Sequence, residues 1–215
     1  MEDRRRLFTI SVAFVPLFFL LLADLAVGDY ELFTFINHEI VNPFLDFICA
    51  YASPVIFAVF YILTLASLHF SKDSASKASG LVSLINGPLC YGIGSVIKDL
   101  VGRPRPFEVE ALSTVRVIGL WHTSSFSFPS TTTMLVFGFS LPILLEKRRG
   151  GVPLVAISYL IGFSVIYTGF HFPLDVAAGT LFSLAITLCT NKMKNPLVNI
   201  FKNIIRIKPK NLESA

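Results

Sequence analysis

Apolar residues in this chain come in long unbroken blocks, not with the period of two that marks a half-buried strand. Six blocks stand out, at about 7–27, 54–70, 80–101, 130–145, 152–170 and 173–190. Each comes close to the roughly 20 residues a helix needs to cross a bilayer. Polar or basic punctuation separates most of them: His69 to Ser79, Glu146 to Gly151, and the long stretch from Gly102 to Pro129. The last two are divided only by the tight Phe170-His171-Phe172-Pro173 turn. The pattern predicts an all-α protein, a six-transmembrane-helix bundle with short interfacial helices.

Composition agrees. Of 215 residues, 53% are hydrophobic and only 15% charged, against roughly 25% charged in an ordinary soluble domain. With a mean hydropathy of +0.69, this excludes a disordered chain, a fibrous repeat and a typical cytosolic enzyme. Cys49, Cys90 and Cys189 are scattered through apolar stretches and read as small buried hydrophobes, not as a disulfide framework or a metal knuckle. No acidic or His cluster has ligand spacing, so neither a metal nor another cofactor is implied.

Charge sets the expected orientation. With the N-terminus inside, 14 of the 18 Lys and Arg fall on the cytoplasmic side, among them Arg4, Arg5 and Arg6. The first block, although it follows that basic cluster, is longer than a signal-peptide core and is read as a retained span. Residues 1–190 form the membrane domain in this reading and residues 191–215 a basic cytoplasmic tail. Over 195–207 the tail alternates an apolar and a basic face, as an interfacial helix would. Segment 30–53, with Glu31, Glu39 and Asp46, is expected to lie along the outer interface. Within the spans almost no ionisable residue lies at mid-depth, which disfavours a channel or an ion-coupled transporter.

The remaining four cations, Lys98, Arg103, Arg105 and Arg116, sit where topology keeps cations scarce. Lys98 ends one block, and Arg105 lies in a turn stiffened by Pro104 and Pro106. Together they suit one anion, Lys as a point charge and Arg as a planar fork; the plainer alternative is snorkelling to headgroups. A second island, Pro129-Ser130 at the start of the fourth block, offers hydroxyl and backbone N–H donors to a phosphate oxygen, or simply an N-cap. In a third, His171 and Asp175 stand one helical turn apart, so the carboxylate can hold the imidazole in one tautomer and leave the other nitrogen free to attack. All three islands face the same side.

Lys98-x6-Arg105-Pro106, then Pro129-Ser130, then Gly169-x-His171-x-Pro173-x-Asp175-Val176-x-Ala178-Gly179 resembles the type-2 phosphatidic acid phosphatase superfamily over nearly the whole chain. The resemblance implies a lipid phosphate as membrane partner, with no nucleic acid. It also implies that His171 is the nucleophile of a phosphohistidine, that Asp175 orients it, and that Lys98, Arg105 and Ser130 bind phosphate. Two positions depart from the family pattern. Thr132 stands where a His acid is usual, and Val165 where an Arg is usual. Arg103, two residues from Arg105, supplies part of the missing charge in this reading, although alternation along an extended turn points it elsewhere. His122 is a candidate substitute acid that no spacing requires; it reads better as a loop histidine.

A Thr hydroxyl is no general acid near neutral pH, and losing a positioned acid costs about 10²–10⁴-fold when the leaving group is poor. An alkoxide is such a group; a phosphate, with a second pKa near 6, is not. Activity is therefore expected to favour a polyprenyl diphosphate over a monoester. Two classes stay open: a lipid phosphatase or phosphotransferase acting at the outer face, and an impaired homologue that binds or translocates lipid phosphates.

Overall fold

The computed structural model describes residues 11, 14–110, 112, 114–119, 126–146, 148–196 and 198–199. Among them all regular structure is helical. The main helices are α1 (Val15–Val27), α2 (Asp29–Thr34), α3 (Pro43–Phe47), α4 (Ser53–His69), α5 (Ser74–Val101), α6 (Thr131–Glu146), α7 (Arg148–Tyr167) and α8 (Pro173–Thr190). All six apolar blocks carry a helix. By length and composition four helical stretches can cross a membrane: Pro43–His69, Ser74–Glu108, Gly150–Tyr167 and Pro173–Pro196. Among the described residues helices α1 and α6 are apolar but shorter, so four of the six expected spans reach that length there. Large apolar side chains face outward along the bundle, Leu100 being 80% exposed, as they do where lipid and not water is the solvent.

Segment 30–53 corrects the expectation of a surface-lying amphipath. Helix α3, a π-type turn at Ile48–Ala52 and α4 run on as one 27-residue apolar stretch. Ahead of it, Phe33 and Asn37 are fully buried. Phe33, Ile36 and Cys49 pack with Tyr167, Phe172 and Val176 in a core cluster under the α7–α8 turn. A second cluster, with Phe57, Tyr61, Phe137, Leu141 and Leu154, fills the bundle between α4, α6 and α7. Of the basic tail, residues 191–196 and 198–199 are described, with Lys194 paired to Glu146; its remainder lies outside the described residues, as do His122 and Arg4 to Arg6.

Helix α5 begins where Asp73 accepts hydrogen bonds from the Ala75 and Ser76 N–H groups, both at 3.1 Å. It ends at Gly102, whose left-handed φ of 66° lets its N–H return to the Lys98 carbonyl. Its packing against α6 is the most extensive in the bundle. A Cβ on Gly138 would stand 2.9 Å from the Gly87 Cα, and one on Gly87 would strike the Phe139 ring. Small residues here do what they do in membranes generally, letting backbones approach. Gly94 and Gly179 are similarly confined, whereas Gly92 faces open space. Asn86 ties three helices, donating to the Gly138 carbonyl at 2.7 Å and to Thr187 Oγ1 at 2.8 Å while accepting from Thr190.

Candidate active site

The C-terminal ends of α5 and α7 and the N-terminal ends of α6 and α8 meet at one end of the bundle. Their termination signals therefore deliver the chemistry. Gly102 stops α5 one turn after Lys98. Ser130 caps α6, its Oγ accepting from the Thr133 N–H at 3.3 Å and from the Thr133 hydroxyl at 2.9 Å. Pro173 opens α8, and Asp175 reaches back to accept the Phe172 N–H at 2.9 Å, one half of a capping box.

The turn from α7 into α8 is built around Gly169. Its φ of 88° lies in the left-handed region, and a Cβ there would stand 2.6 Å from the Arg116 carbonyl oxygen. Beyond it the Phe170 and His171 N–H groups both donate to the Val165 carbonyl at 3.0 Å. Asn37 locks this turn to the preceding loop. Its Nδ2 donates to the Arg116 and Tyr167 carbonyls, each at 2.9 Å, and its Oδ1 accepts the Arg116 N–H at 2.9 Å. Arg116 itself pairs with Asp46, which also accepts the Tyr167 hydroxyl at 2.6 Å.

His171 is buried, with Nδ1 3.4 Å from Asp175 Oδ2. That is ion-pair range, and Nδ1 makes no hydrogen bond. Burial pulls the imidazole down from its ordinary pKa to about 4; Asp175 pushes the other way, and the charges of Lys98 and Arg105 add to the depression. The ring is therefore neutral at physiological pH, as a nucleophile requires.

Lys98 and Arg105 are both buried. The Lys98 ammonium donates to the Phe126 and Ser127 carbonyls at 2.7 and 3.0 Å. Arg105 Nη1 donates to the Phe170 carbonyl at 2.8 Å, beside the histidine turn. The Ser127 N–H, donating to the Arg103 carbonyl at 2.8 Å, stitches the two loops together. The Ser130 N–H donates to the Asp175 carbonyl at 3.0 Å.

A cavity of about 530 Å³ opens between α4, α5, α6 and α7. His171, Arg105, Thr131, Thr132, Ser164 and Thr168 bring polar groups to its lining, and the rest of the wall is mostly apolar, with Phe57, Leu135, Phe139 and Ile161. Val165 lines it as well. Thus all six expected residues gather at one end of the bundle, with His171 and Arg105 on the cavity wall, Lys98, Ser130 and Asp175 buried beside it, and Arg103 paired with Asp175. Arg103 departs from the expectation of a phosphate ligand. Its guanidinium pairs with Asp175 at 2.8 Å and with Asp29, and lies 4.1 Å above the Phe172 ring. Sequence reasoning passed over Asp29 and Asn37. Neither carried a local signal: Asn37 sits among Thr34, His38 and Glu39, and the partner of Asp29, Arg103, is 74 residues away.

The family model of the PAP2 superfamily matches residues 78–198. The undecaprenyl-diphosphatase BcrC of Bacillus subtilis is 27% identical over 184 residues, 83% of this chain and 91% of that protein. A sphingosine-1-phosphate phosphatase 1 of Rattus norvegicus is 33% identical over 121 residues, covering 52% of this chain and 26% of that protein. Among solved structures, LpxE of Aquifex aeolicus superposes with a TM-score of 0.54 at 26% identity, over 76% of this chain and 94% of that one. The transmembrane PAP2-type phosphatidylglycerolphosphate phosphatase of Bacillus subtilis gives a TM-score of 0.58 at 19% identity, over 87% and 96%, a likeness of fold.

Proposed function

The chain belongs to the PAP2 superfamily, and on that premise we propose that it hydrolyses a lipid diphosphate, a polyprenyl diphosphate being favoured, through a phosphohistidine on His171. One observation carries the reading. A buried His171 and a buried Arg105 both line a cavity whose wall is otherwise mostly apolar. A ligand with a phosphorylated head and a hydrocarbon tail fits that division.

In the reaction, the His171 nitrogen opposite Asp175 attacks the terminal phosphorus. The bond to the bridging oxygen breaks, and its electron pair leaves with the lipid monophosphate. Water then attacks the N–P bond, releases inorganic phosphate and returns neutral His171, its surplus proton passing to solvent. Asp175 holds Nδ1–H and stabilises the charge the ring acquires. Lys98, Arg105 and Ser130 bind the phosphoryl oxygens, Lys98 and Arg105 exchanging carbonyl partners for them.

Thr132 and Val165 both line the cavity, so the acid and the cation usual in the family are replaced at the wall itself. With no acid to protonate an alkoxide, the good leaving group of a diphosphate is the one this site accommodates. The same two residues support the second reading, a homologue that binds lipid phosphates without turning them over. The Lys and Arg asymmetry along the chain supports cytoplasmic termini and a site on the outer face of the cell membrane.

Phosphate release from a polyprenyl diphosphate by detergent-purified protein without divalent metal, beside His171→Ala, tests the proposal. Release that vanishes in the variant is expected. No release from the wild-type protein, with the diphosphate still raising the melting temperature, would favour the binder.

A further inference from the structure

Behind His171 and Asp175 lies a second layer of charge that reaches an element outside the stretch the family model matches. We propose that Asp29 and Arg103 are positioning residues that hold the Asp175 carboxylate in register with His171, making helix α2 part of the catalytic apparatus. The proposal rests on the phosphatase reading above.

The two oxygens of Asp175 are committed differently. Oδ2 accepts the Phe172 N–H at 2.9 Å and faces His171 Nδ1; Oδ1 accepts from Arg103 Nη1 at 2.8 Å. The Asp175 side chain is wholly buried, so without Arg103 its charge would lack its closest counterion and its second anchor. Arg103 in turn is held from the far side, its Nη2 donating to Asp29 Oδ2. Asp29 Oδ1 accepts the Leu174 N–H at 2.8 Å. Asp29 thus grips both the guanidinium and the first turn of the helix that carries Asp175.

Aromatic packing completes the brace. The Phe172 ring, 4.1 Å beneath the guanidinium, receives Tyr30 and Phe33 of α2 edge-on at centroid distances of 5.0 and 5.3 Å. A planar fork can bridge two carboxylates in fixed directions, which a single ammonium cannot. Asp175 thereby keeps an anionic oxygen toward the ring, where charge develops when phosphorylation at one nitrogen, with the proton kept on Nδ1, makes the imidazole cationic.

The test is a double-mutant cycle of Asp29→Asn, Arg103→Gln and both together, assayed on a polyprenyl diphosphate beside wild type and His171→Ala. KM and kcat are separated, and melting temperatures are followed. Misplacing a reacting group by about 1 Å costs on the order of 10²-fold. The brace therefore predicts that Arg103→Gln lowers kcat about 10²-fold and Asp29→Asn about 10-fold, with KM within about twofold. Because Asp29 acts through Arg103, the double variant is no slower than Arg103→Gln alone. Arg103→Lys, keeping charge without the fork, recovers part of kcat. Losses that multiply, a raised KM in place of a lowered kcat, or unchanged kcat in the single variants would overturn the brace and leave the phosphatase reading standing. Loss of the melting transition in every variant, Arg103→Lys included, would overturn it in favour of a purely structural tie. Release by His171→Ala at the wild-type rate, or none by wild type, would overturn the phosphatase reading and the brace with it.

Discussion

His171 Nδ1 lies 3.4 Å from Asp175 Oδ2, and the same oxygen accepts the Phe172 N–H at 2.9 Å. One carboxylate therefore caps helix α8 and faces the imidazole that immediately precedes it. Capping and orientation share a residue, so the geometry of the pair follows from how the helix starts. Replacing Asp175 with Asn keeps the cap acceptor but removes the charge and the tautomer preference. The expected loss of kcat is about 10³–10⁴-fold, as for other carboxylate–histidine pairs, with a lowered melting temperature because the amide turns a donor toward Arg103 and removes its buried counterion. Steady-state phosphate release and a thermal melt check both halves.

The depressed pKa of His171 sets the acid limb of activity. The group is neutral above about 4 and loses nucleophilicity only as pH falls through that value, well below the ordinary histidine range near 6.5. Corrected for the substrate's own ionisation near pH 6, kcat/KM, which reports the free enzyme, should hold from neutrality down to about pH 5 and drop below it. A corrected kcat/KM–pH profile with its acid midpoint at 6.5 would contradict the burial argument.

Thr132 lines the cavity near His171, so Thr132→His should restore a proton donor where the family usually has one. Monophosphate turnover is expected to rise by up to about 10²-fold while diphosphate turnover changes little, because only the poor leaving group needs the proton. The ratio of the two rates, measured with lipids of one chain length, reads this directly.

Asn37 makes three buried hydrogen bonds to the turn that presents His171. Asn37→Leu keeps the volume and leaves two carbonyls and one N–H unpaired, at about 1–3 kcal/mol each. The melting temperature should fall by several degrees. Adding Asp175→Asn should lower it further by that variant's own shift, since the two sites share no partner and their effects add.

Much was legible in the sequence because a membrane protein writes its solvent into its composition. Each of the six apolar blocks carries a helix, since lipid demands runs that water would not tolerate. The Lys98, Arg105, Ser130, His171 and Asp175 set was visible too, as these residues mark the ends of those runs. Tertiary structure alone decided what lies between distant segments. That 30–53 runs inward, placing Phe33 and Asn37 under the histidine turn, depends on packing partners more than 100 residues away. The direction of Arg103, toward Asp175 and Asp29 and away from the cavity wall, depends on a contact spanning 74 residues. Local pattern reports what each segment must bury or expose; which charge meets which is set only when helices from both ends of the chain close on one another.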